Sequence, residues 1–71
     1  MGYITVEVAK MPGVMQKVTV AEGATVADAL EAANLANETG YEIRLDGDVV
    51  DASTVIEDGA TIVLTKMIKG N

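Results

Sequence analysis

The chain is predicted to fold as a single α+β domain over residues 1–71, a mixed four- to five-stranded sheet packed on one helix in the order β-β-α-β-β-β. Three observations carry that prediction. Apolar residues alternate with polar ones at Tyr3–Lys10, again at Tyr41–Leu45 and again after Ala60, which is the period of a strand buried on one face. A single segment from Val26 to Ala33 shows apolar residues at helical spacing instead. Finally, 71 residues without a cysteine make one small domain, stabilised by packed aliphatic side chains rather than by disulfides or thiolate-bound metal.

In chain order, Ile4, Val6 and Val8 of the first strand face the core, with Tyr3, Thr5, Glu7 and Ala9 on the other side. Met11-Pro12-Gly13-Val14 interrupts the alternation and predicts a type II turn centred on Pro12 and Gly13. The return strand, Met15–Val20, turns Val18 and Val20 inward and Lys17 and Thr19 outward. After the Ala21–Ala24 loop, Thr25-Val26-Ala27-Asp28 reads as a capping box. The helix it opens has about ten residues, with Val26, Ala29, Leu30 and Ala33 on its inner side and Asn34 as terminator. Its alanines let it lie close against a sheet. Asn37–Gly40 connects to a third strand in which Tyr41, Ile43 and Leu45 alternate with Glu42 and Arg44. Asp46-Gly47-Asp48 is a tight turn into a short strand, Val49–Asp51. Ala52–Asp58 is a turn or single helical coil around Val55 and Ile56, and Ala60–Ile68 is the last strand, with Ile62 and Leu64 inward. The economical packing sets this last strand beside the first and parallel to it, with the helix across one face: a β-grasp sheet.

Composition restricts function further. Eleven acidic and five basic residues give a formal charge of −6, and the cations at Lys10, Lys17, Arg44, Lys66 and Lys69 form no run. That pattern argues against nucleic acid as a partner, because phosphate binding needs clustered cations. No apolar run approaches the roughly 20 residues of a membrane-spanning helix, and no basic flank precedes an apolar segment at the start. The expectation is a cytoplasmic protein without a membrane or nucleic-acid partner. With no His and no Cys, no nucleophile is grouped with a base, so the chain reads as a non-enzyme without a cofactor. Asp46, Asp48 and Glu57 have the offsets of an EF-hand loop, but Val50 and Asp51 stand where a ligand and the turn glycine belong. No metal site is expected.

The Val18-Thr19-Val20 strand, the passage Gly23-Ala24-Thr25-Val26-Ala27-Asp28-Ala29-Leu30, the segment Leu45-Asp46-Gly47-Asp48-Val49-Val50 and the run Glu57–Leu64 together resemble the ubiquitin-like sulfur-carrier family, which includes the small subunit of molybdopterin synthase and the thiamine-pathway sulfur carrier. The resemblance spans essentially the whole chain. It implies a ubiquitin-like β-grasp fold and a C-terminal Gly-Gly that a partner enzyme adenylates before thiolation or conjugation to a lysine. This chain departs from that pattern in its tail, which reads Lys69-Gly70-Asn71.

Those readings converge on a non-catalytic protein that works by protein–protein binding. The candidate binding residues are Arg44, Val63, Thr65 and Met67 on the outer sheet face, continued by a flexible tail over residues 68–71 whose candidates are Lys69, Gly70 and Asn71. One alternative is a sulfur carrier or protein modifier activated at Gly70 after removal of Asn71, with an adenylating enzyme as partner. Another is a structural subunit of a larger, for instance viral, assembly joined through strand edges.

Overall fold

A computed structural model describes residues 2–36 and 40–67. Its elements run β1 (Tyr3–Lys10), β2 (Gln16–Ala21), α1 (Val26–Ala32), β3 (Tyr41–Leu45), β4 (Asp48–Val50) and β5 (Thr61–Lys66). The sheet has five strands in the order β2-β1-β5-β3-β4. β1 and β5 pair in parallel, Val8 opposite Ile62 and Lys10 opposite Leu64, and the remaining neighbours are antiparallel. This is the expected β-grasp arrangement. Among the described residues no helix is long and apolar enough to cross a membrane.

Alternation places the core correctly. Ile4, Val6, Val8, Val20, Ile62 and Leu64 are buried on the sheet side, against Val26, Ala29, Leu30 and Ala33 of the helical segment. Among the described residues no polar or charged side chain is buried, so the interior is aliphatic throughout. Val18, Tyr41, Ile43, Leu45 and Val50 are only half-buried against it, because α1 lies over β1 and β2 and leaves the β3–β4 half of the sheet less covered.

The helix is shorter than its periodicity predicts, seven residues from Val26 to Ala32. Its start is the expected capping box, in which the Thr25 side chain accepts from the Asp28 N–H and the Asp28 carboxylate accepts from the Thr25 N–H. Its end is a Schellman motif. Asn34 takes a left-handed φ of 64°, its N–H donates to the Glu31 carbonyl, and the Leu35 N–H donates to the Leu30 carbonyl at 2.7 Å. The terminator is the predicted residue, but the cap consumes the last turn.

Three local expectations are corrected. The Met11–Val14 turn is not type II, because the Met11–Pro12 peptide is cis and Gly13 has no positive φ; Gly13 is needed because a Cβ there would overlap the Lys10 carbonyl oxygen. Residues 52–58 form no helical coil. They make a turn at Ala52-Ser53, where the Thr54 N–H donates to the Asp51 carbonyl at 3.2 Å, and then pass the helix start before turning again at Asp58, with Thr25 bridging Val55 and the Val26 and Ala27 N–H groups donating to the Thr54 and Ala52 carbonyls. In consequence Ile56 is buried whereas Val55 is exposed. Strand boundaries shift by a residue in β2 and β4, and β5 ends at Lys66. The Asn37–Thr39 part of the connection and the tail with Lys69, Gly70 and Asn71 lie outside the described residues.

Candidate protein-binding face

The face of the sheet turned away from α1 is assembled by cross-strand register. Parallel pairing sets Ala9 opposite Val63, and antiparallel pairing sets Val63 opposite Arg44 and Arg44 opposite Val49. These four residues form one row across β1, β5, β3 and β4. The next row places Glu42 opposite Thr65. Met67 takes the following outward position beyond β5, where its N–H donates to the Gly40 carbonyl at 2.9 Å.

The structure therefore brings Arg44, Val63, Thr65 and Met67 onto one continuous surface, with unequal exposure. Met67 is half exposed and Arg44 is exposed, whereas Val63 and Thr65 are half-buried. The difference follows from sheet position, since β5 is the central strand and its outward side chains are flanked on both sides. Ala9 shows the effect in the extreme. It points outward by alternation and is nonetheless fully buried, because a methyl group is too short to rise between longer neighbours.

Val49 was not among the residues expected here, yet it is 60% exposed and closes the row. The signal was available. Asp46 and Gly47 both have positive φ, 50° and 94°, as a two-residue type I′ turn requires, and that turn length alone sets Leu45 opposite Asp48 and Val49 opposite Arg44. Tyr3, Val14 and Met15 are further exposed apolar side chains on the strands and turn at the other side of the sheet.

Charge on this face is balanced internally. Arg44 Nη2 lies 2.6 Å from Glu42 Oε2, and Nη1 donates to the Gly47 carbonyl at 3.4 Å. Lys17 stands opposite Glu7 in the β1–β2 register. Exposed pairs of this kind are worth about 0–1 kcal/mol, so their main effect is to leave the face neutral between its apolar residues.

The net charge of −6 resides elsewhere, and strand direction sorts it. The β3–β4 turn, the turn before β5, the loop after β2 and the first turn of α1 all lie at one end of the sheet. Glu22, Asp28, Asp46, Asp48, Glu57 and Asp58 belong to these segments. Lys10 and Lys66, opposite Leu64 and Tyr41, lie toward the opposite end, whereas Lys17 is opposite Glu7 and so level with Thr61 and Asp46. Several of the carboxylates are structural. Asp58 accepts from the Thr5 N–H at 2.9 Å, and Asp46 from the Thr61 N–H at 2.9 Å. Asp51 accepts from the Ser53 hydroxyl at 2.6 Å and the Ser53 N–H at 3.0 Å. The Ser53 hydroxyl, then its N–H, holds the Asp51 carboxyl below the usual aspartate value. Among the described residues no acidic group is arranged to hold a metal ion; Asp46 serves the backbone of β5 instead.

No protein-family model matches the sequence, and no curated protein matches it either. The fold, by contrast, is shared with known structures. It superposes on a crystal structure of SAMP1 from Haloferax volcanii with a TM-score of 0.78 at 17% identity, covering 94% of this chain and 99% of that one. A second crystal structure of the H. volcanii small archaeal modifier protein 1 gives 0.79 at 16% identity, with 92% and 99% covered. The ubiquitin of Caldiarchaeum subterraneum gives 0.66 at 18% identity, with 99% and 100% covered. The fold is thus a ubiquitin-like β-grasp.

Proposed function

We propose that the protein is a non-catalytic ubiquitin-like module of the cytoplasm that binds a partner protein through the outer sheet face, at Val63, Thr65, Met67 and Arg44, with Val49 at its edge. The observation that supports this reading is the neutral row Ala9–Val63–Arg44–Val49, in which the only cation is held by Glu42. Val49 and Met67 keep apolar surface in water, and covering such area is favourable by about 25 cal/mol per Å². Neutral, partly apolar faces of this kind suit a protein interface. The test is affinity purification from the native cell with the wild-type chain and with a Val63→Asp, Met67→Asp double variant, after thermal unfolding shows that the variant is folded. Loss of specific partners supports the reading; retention of all of them counts against it.

A second reading is favoured by the solved structures that share the fold, those of a small archaeal modifier protein and a ubiquitin. In it the chain is a sulfur carrier or protein modifier matured by removal of Asn71, with Gly70 adenylated by a partner enzyme. Intact-mass measurement on the native protein distinguishes the two. Loss of Asn71, or replacement of one terminal oxygen by sulfur, supports this second reading, and an unmodified Asn71 terminus supports the first alone.

A further inference from the structure

We infer that the chain pairs with a second copy of itself along the open edge of β2, as an antiparallel two-fold dimer centred on Thr19. The ladder to β1 fixes which backbone groups that edge presents. The Glu22 N–H donates to the Gly2 carbonyl at 2.9 Å, and hydrogen-bonded and non-hydrogen-bonded positions alternate along an antiparallel pair. Val20, Val18 and Gln16, opposite Ile4, Val6 and Val8, therefore turn their N–H and C=O groups toward β1. Lys17, Thr19 and Ala21 turn theirs outward, at the end of the sheet order. The Ala21 carbonyl accepts from the Ala24 N–H at 3.0 Å and keeps a second lone pair. Such a row of outward donors and acceptors is a template for strand addition.

Symmetry and charge select the occupant and its register. Pairing about Thr19 sets Thr19 opposite its own copy and Lys17 opposite the copy's Ala21, so outward backbone groups meet outward backbone groups. On the helix side Val18, half-buried in the monomer, falls opposite the copy's Val20. Gln16 falls opposite the copy's Glu22. Its amide gives one N–H to the Ala33 carbonyl and has another for that carboxylate. The two Lys17 side chains then lie four residues apart along the strands, about 13 Å, beyond the Debye length of about 8 Å. A slip that sets Lys17 opposite Thr19 brings the two lysines to diagonal positions about 7–8 Å apart, and a pair centred on Lys17 opposes them directly.

The net charge of −6 does not oppose this contact, because Lys17 is the only charged residue from Gln16 to Ala21. On α1, which lies over β1 and β2, helical spacing puts Ala27 and Ala32 at the flanks of the buried stripe, with the exposed Asp28 and Glu31 on the side away from it. The other edge lacks this self-complementarity. β4 has three residues, beginning at Asp48 and followed by Asp51.

The test uses the whole chain, which has no cysteine of its own. Sedimentation equilibrium is expected to show the 7.4 kDa monomer exchanging with a species of twice that mass, half-populated at or below about 1 mM because one strand pair is a small contact. Thr19→Lys opposes like charges on the two-fold axis and weakens the dimer at least about fivefold, with the thermal midpoint of the dilute monomer unchanged. Val63→Asp, on the outer face, leaves the dimer intact. Under diamide, Thr19→Cys forms a disulfide-linked dimer and Ala21→Cys does not, because only residue 19 meets its own copy within the span that a disulfide bridges. Equal cross-linking of the two cysteine variants overturns the inference. So does a monomer at every concentration with no cross-link from Thr19→Cys. A dimer that Thr19→Lys leaves intact and Val63→Asp dissociates also overturns it, and places the contact on the outer face.

Discussion

Asp46 and Thr61 hold each other by a reciprocal pair of hydrogen bonds: the Thr61 N–H donates to the Asp46 carboxylate at 2.9 Å, and the Asp46 N–H donates to the Thr61 carbonyl at 2.8 Å. A residue in the β3–β4 turn thereby fixes where the central strand begins. It does so from a left-handed backbone conformation, φ 50°, which aspartate tolerates better than most residues. Asp46→Ala loses both the acceptor and that tolerance, with an expected cost of about 1–3 kcal/mol in urea unfolding. Asp46→Asn keeps an acceptor and the turn preference, and is expected to cost less than half as much.

Gly13 and Gly47 separate two reasons for a glycine. At Gly47 the φ of 94° is the obstacle and the space is open, so Gly47→Ala is expected to cost about 1–2 kcal/mol. At Gly13 the φ is ordinary but the Lys10 carbonyl occupies the position of a Cβ. Gly13→Ala must therefore displace the β1–β2 turn, at a comparable expected cost of about 1–3 kcal/mol. Amide shifts distinguish them: the Gly13 variant moves residues 10–16, whereas the Gly47 variant leaves the backbone in place.

Ile62 and Val63 are adjacent on β5 and face opposite ways, the first fully buried and the second half-buried. Ile62→Ala is expected to lose about 2–5 kcal/mol of stability. Val63→Thr, with similar shape and a polar surface atom, is expected to change stability by less than about 1 kcal/mol while weakening whatever the outer face binds. Equilibrium unfolding beside a binding titration reads both effects.

Asp51 gives an acid-side prediction. Its folded-state value is depressed by Ser53, so the stability it contributes is present above its unfolded value of about 3.9 and is lost as pH falls through the lower folded value. Ser53→Ala removes the hydroxyl donor that lowers it most. The expected result is unchanged stability ranking at pH 2 and a smaller gain on raising pH to 5, followed by thermal midpoints across that window.

Alternation and capping signals made most of this fold legible. Val6 and Val8 announced their buried face, Thr25 and Asp28 the helix start, and Asn34 its end, because each is governed by neighbours within a few residues. Features set by distant segments were not legible. Ala9 is buried by the strands on either side of it, and the segment around Val55 runs between two turns instead of coiling because the helix start offers it backbone partners. Val63, Thr65, Arg44 and Met67 could be assigned to one face from alternation, but their unequal exposure depends on which strand is central. Val49 depended on the length of the turn before it.

The parallel pairing of β1 with β5 has a consequence for biosynthesis. The β1–β2 hairpin and the β3–β4 hairpin are each local, yet they have no contact ladder with one another; both are joined only through β5. Glu7 waits for Thr61, and Ile43 for Leu64. Such long-range closure is slow to nucleate, and a nascent chain cannot complete its sheet until residue 66 has left the ribosome. The sheet is thus sealed last, by the strand that also carries Val63 and Thr65 outward.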